Sequence, residues 1–138
     1  MQTNTVGQIR EKDNALFLRH VLRANTVFSV LSGVVVLMAA APLSELMGIN
    51  NPFVFYVLGM GLLPFAGFVF YTSQQTELNT RLVKIILVMD AFWVVGSYFL
   101  IFSGTVPFTA AGKWIVGLIA EVVFIFAILE MIGLRRLN

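Results

Sequence analysis

The sequence predicts an all-α fold: a polytopic membrane protein built as one antiparallel bundle of four transmembrane helices. Composition is the first observation. Of 138 residues, 59% are hydrophobic and 12% charged, and the mean hydropathy is +0.90. A soluble domain carries roughly 45–50% apolar and about 25% charged residues, so a water-soluble fold would leave apolar surface uncovered. The second is length. Four apolar stretches each reach the ~20 residues that cross ~30 Å of hydrocarbon. The third is the distribution of charge. Arg10, Lys12, Arg19 and Arg23 precede or open the first stretch, Arg81 and Lys84 lie between the second and third, and Arg135 and Arg136 follow the fourth. Only Lys113 falls on the other side. Basic loops stay cytoplasmic during insertion, so both termini are expected inside, as in a bacterial inner membrane.

The first span is expected over residues 14–41. It follows Glu11 and Asp13 and is longer than a signal-peptide core, so it reads as a retained helix, with Asp13 as its N-cap. Arg19, His20 and Arg23 cannot sit deep at low cost and are expected at the lipid headgroups, where they favour anionic lipid. Ser29 and Gly33 form a small-xxx-small pair that lets another helix approach closely.

The second span, 52–71, begins at Asn50-Asn51-Pro52 and ends near the polar run from Thr72 to Thr76. Within it Pro64 frees the carbonyl of Met60 and predicts a bend. The third span covers 82–102 and stops at Ser103-Gly104. The fourth covers 114–132, with Gly133 as its expected C-terminal stop. The outer connections, Pro42 to Asn51 and Gly104 to Lys113, are expected to be short loops. Connections of this length make successive helices antiparallel neighbours in a single domain.

Asp90 and Glu121 lie near the centres of the third and fourth spans. An ionised acid at that depth costs at least about 2.5 kcal/mol, so each is expected to face the bundle interior, paired, protonated or hydrated. Asp90, Trp93 and Ser97 share a helix face, as do Trp114, Gly117 and Glu121. With Asn25 they form the expected polar site. Two readings attach to it: a proton or ion site, or hydrogen bonds between helices worth about 1 kcal/mol each. Glu130 is expected to form an ordinary salt bridge with Arg19, Arg23, Arg81 or Lys84 near the cytoplasmic end.

Several chemistries find no support. The chain has no cysteine and one histidine, which excludes thiolate catalysis, disulfides and a bis-histidine haem within one chain. No catalytic residue, metal site or phosphate-binding glycine loop is recognisable, so the protein is expected not to be an enzyme. A formal charge of +2 gives no support for nucleic-acid binding. All thirteen phenylalanines except Phe108 fall in the spans. They suit lipid or core contacts, or an aromatic pocket for a bound lipid, quinone or pigment, although no cofactor is evident. The expected partners are the bilayer and a protein, either a larger complex or further copies of this chain. An accessory or scaffolding subunit is the leading expectation. A proton-coupled transporter or channel acting through the midplane carboxylates as a homo-oligomer is the alternative.

Overall fold

A computed structural model describes residues 2–137, with side chains from Thr5 onward. The described residues form five helices and no strand: α1 (Gln2–Met38), α2 (Ala40–Met47), α3 (Phe53–Gln74), α4 (Thr80–Ser103) and α5 (Ala110–Leu137). All but α2 are long and apolar enough to cross a bilayer.

Helix α1 starts well before Asp13, which lies inside it and caps nothing. The preceding Gln8, Arg10, Glu11 and Lys12 are good helix formers, so the helix continues beyond its apolar segment. Its other end is set by proline. The ring of Pro42 offers no N–H to the carbonyl of Met38, four residues earlier, and α1 ends at Met38. The chain turns at Ala39 (φ −113°) and resumes as α2, where an outer loop was expected. Gly48, at φ +79°, ends α2 with Ile49 N–H donating to the Ser44 carbonyl at 3.0 Å. A side chain on Gly48 would be strained and would meet the Pro107 carbonyl at 2.8 Å.

Side-chain oxygens open the later helices. Asn51 Oδ1 accepts from Phe53 N–H (3.1 Å), and Asn79 Oδ1 accepts from Arg81 N–H (3.0 Å). Thr109 Oγ1 accepts from Gly112 N–H (3.0 Å) while donating to the Leu46 carbonyl (2.6 Å), which ties the start of α5 to the end of α2. Helix α3 continues through Pro64 to Gln74. Helix α5 continues through Gly133 to Leu137. Gly133 is therefore not a stop. A Cβ there would lie 2.8 Å from Leu18 Cδ1, so its missing side chain permits close contact between α1 and α5.

Helix α1 packs against both α3 and α5, and α4 packs against α5, whereas α3 and α4 make almost no direct contact. The α1–α3 seam is equally tight: a Cβ on Gly59 would lie 3.1 Å from the Gly33 carbonyl oxygen. One apolar cluster joins Leu18, Leu22, Val69, Val83, Ile86 and Leu134, and a second joins Ala40, Met47 and Phe55. Asn14 donates to the Arg136 carbonyl (3.1 Å), and the Arg136 guanidinium lies 5.0 Å from the Phe17 ring centroid. The opening part of α1 and the last turn of α5 therefore lie at the same end. Most apolar surface faces outward: in each long helix only 22–33% of the most apolar window is buried. Lipid is the solvent that makes such an exterior stable.

Candidate functional site

Asn25 is 2% exposed and connects three helices. Its Nδ2 donates to Asp90 Oδ2 on α4 at 2.7 Å and to Glu130 Oε1 on α5 at 2.8 Å. Its Oδ1 accepts from the Ser29 hydroxyl at 3.1 Å, which fixes the orientation of the amide. Asp90 is 4% exposed and Glu130 is fully buried, so two carboxyl groups meet across one amide deep in the bundle. Glu130 Oε2 has no hydrogen-bond donor. Among the described residues no cation pairs with either acid. Every other charged side chain is exposed except Arg19, which is half-buried.

Asp90 and Asn25 thus come together as the polar site required, but Asp90 meets Glu130 and not Glu121. The reason is helical geometry. Glu121 and Glu130 are nine residues apart, about two and a half turns, and so occupy opposite faces of α5. Glu130 lies on the buried stripe with Val123, Ala127 and Leu134, whereas Glu121 is exposed and accepts a hydrogen bond from Tyr98. The salt bridge expected of Glu130 is absent. Trp93 and Ser97 stay apart from the acids: the Trp93 indole N–H is buried without an acceptor, and Ser97 is buried further along α4.

The residues assigned to lipid headgroups divide. His20 and Arg23 are exposed. Arg19 turns to protein instead, donating to the carbonyls of Ser73 (2.8 Å) and Thr76 (2.7 Å). It neutralises the end of α3, where carbonyls lack helical partners and the dipole is negative.

Asp90 and Asn25 also line a cavity of about 340 Å³ between α1, α3, α4 and α5. A second cavity of about 420 Å³ shares Phe28, Ser32, Leu58 and Trp93 with it, so the two form one cleft. Its walls are almost entirely apolar, and its polar residues are Asn25, Ser29, Ser32, Asp90 and Ser97. Helices α3 and α4 scarcely touch each other, although both line the cleft. Sequence reasoning gave Glu130 a salt bridge instead of this place beside Asp90, and missed the cleft. The spacing of Glu130 from Glu121 is legible in the sequence and shows that only one can face inward.

Chemically, the site can hold a proton between two carboxyls and can present carboxyl oxygen to a molecule in the cleft. Among the described residues no group of three or more His, Cys, Asp or Glu is placed to hold a metal ion. No family model, curated protein or solved structure matches this chain, so its functional reading rests on this geometry.

Proposed function

We propose that this protein is a small, non-enzymatic membrane carrier that couples a proton on the Asp90–Glu130 pair to a ligand in the adjoining cleft. The observation that carries the reading is the Asn25 bridge between two buried acids, of which Asp90 lines the cleft and Glu130 stands behind it. Two carboxylates this close and this buried do not both ionise at low cost. In an accessory subunit these acids would serve only to hold helices together. The charge bias supports a bacterial inner-membrane protein with both ends cytoplasmic.

Trp93 lies one turn from Asp90 and reports on it once Trp114 is replaced by phenylalanine. In proteoliposomes, the Trp93 fluorescence of this variant should show a pH transition that Asp90→Asn and Glu130→Gln abolish and Glu121→Gln preserves. Fluorescence unresponsive to pH, or equally responsive in all variants, refutes proton binding at this pair.

A protein neighbour is favoured by a separate observation. Glu121 is exposed and accepts from the half-buried Tyr98, on the outer side of α4 and α5 and within the apolar spans. A carboxyl facing hydrocarbon is costly, and a second copy or a larger complex covering that face relieves the cost.

A further inference from the structure

We infer that the cleft takes a lipophilic amine in its ammonium form, an apolar body carrying one positively charged nitrogen, which replaces the shared proton of the Asp90–Glu130 pair. The inference rests on the carrier reading above and adds the chemical class of the ligand.

Donor and acceptor accounting leads to it. Both hydrogens of the Asn25 amide are committed to Asp90 and Glu130, and the Ser29 hydroxyl is committed to Asn25. The donors of this triad are therefore used up, whereas its acceptors are not. Asp90 lines the chamber and takes one Asn25 hydrogen bond on Oδ2, while Glu130, fully buried, stands outside the chamber lining and adds its charge through the pair. A ligand reaching the floor meets surplus acceptor capacity and negative charge. A ketone, ether or quinone can accept from the free Trp93 indole N–H but leaves the negative charge of the acids unmatched. A carboxylate adds like charge. An alcohol donates one hydrogen bond and leaves the charge unmatched. An ammonium supplies donors and charge together.

The walls suit the remainder of such a molecule. Phe28, Phe65 and Trp93 line the chamber that holds Asp90, and aromatic faces attract cations in desolvated sites. The chamber's 340 Å³ falls within the ~300–1,000 Å³ of small-molecule pockets. The sparse contact between α3 and α4, both of which line the chamber, offers an amphiphile a route from the bilayer. No other ionic group intervenes. The remaining charged side chains of α1, α2, α4 and α5 are exposed, apart from Arg19 on the end of α3, and α3 contributes only the exposed Tyr56 and Tyr71. The exchange balances: one ammonium enters, one proton leaves the pair for water, and the net charge of the site is unchanged.

The test uses the full-length Trp114→Phe protein in liposomes, with decylammonium, decanol and decanoate as probes of equal chain length. Trp93 fluorescence reads binding and an indicator dye reads released protons. Decylammonium should bind saturably, release one proton per molecule bound, and bind at least tenfold more tightly than the other two. Asp90→Asn and Glu130→Gln should weaken it at least tenfold. Gly61→Leu provides an independent variant, because Gly61 lines the chamber from α3 and a Cβ there meets nothing within 4 Å. It should weaken decylammonium comparably while preserving the pH transition of Trp93. Equal binding of decanol or decanoate, decylammonium binding without proton release, or full binding by Gly61→Leu overturns the amine assignment. The carrier reading fails separately, by loss of the pH transition in the unliganded protein.

Discussion

Replacing Asn25 by leucine removes both donors from a pair of buried carboxyls and leaves the Ser29 hydroxyl without its acceptor. Interhelical hydrogen bonds in membranes average well under 2 kcal/mol each. The expected loss is therefore about 2 kcal/mol, read as reduced stability in detergent unfolding titrations. Asp90→Asn should cost less than Asn25→Leu, because an amide at position 90 removes a charge while keeping the polar bridge. If Asn25→Leu unfolds like the parent protein, the bridge contributes nothing to stability. Asp90 and Asn25 were recognisable in the sequence because polar residues at that depth need partners. The partner acid was not, because span midpoints rank Glu121 as the deeper residue while helix faces select Glu130.

At the scale of the element, glycines mark which seams are tight. Gly59→Ala places a Cβ 2.5 Å from Leu37 Cγ and 3.1 Å from the Gly33 carbonyl. Overpacking of this kind typically costs about 1–3 kcal/mol. Gly96→Ala meets nothing within 4 Å and should be neutral or stabilising, since alanine is the better helix former. The same unfolding titration separates the two, and equal effects would contradict the packing described. Arg19→Ala should free the end of α3, with increased hydrogen exchange confined to the last turn of α3 and the following connection. The spans were legible because hydropathy and length suffice to find them. The helix ends were less so. Pro42 shaped a break and a short outer helix that hydropathy cannot register. Gly133 looked like a terminator because a glycine serving close packing and one serving a turn are the same letter.

Across the whole molecule, the Asn14–Arg136 contact puts the opening part of α1 and the last turn of α5 at one end, and the proposed orientation, drawn from the eight basic residues, makes that end cytoplasmic. The chain has no cysteine, so single cysteines at Thr5, Lys113 and Leu137 can be labelled without background. In right-side-out vesicles an impermeant reagent should reach only Lys113→Cys, and labelling of the other two would reverse the orientation. The cleft was not legible in the sequence. A soluble helix shows its buried side by polar residues on the other, but here the lipid-facing side is as apolar as the core. Which helices touch, and that α3 and α4 leave a gap, emerges only from the glycine seams and the buried amide working together.

The most direct measurement is infrared difference spectroscopy of carboxyl groups in the purified, membrane-reconstituted protein at neutral pH. One protonated carboxyl per chain should appear, shift or vanish in Asp90→Asn and in Glu130→Gln, and persist unchanged in Glu121→Gln. A spectrum without a protonated carboxyl, or a band that disappears only with Glu121, would contradict a proton held between Asp90 and Glu130.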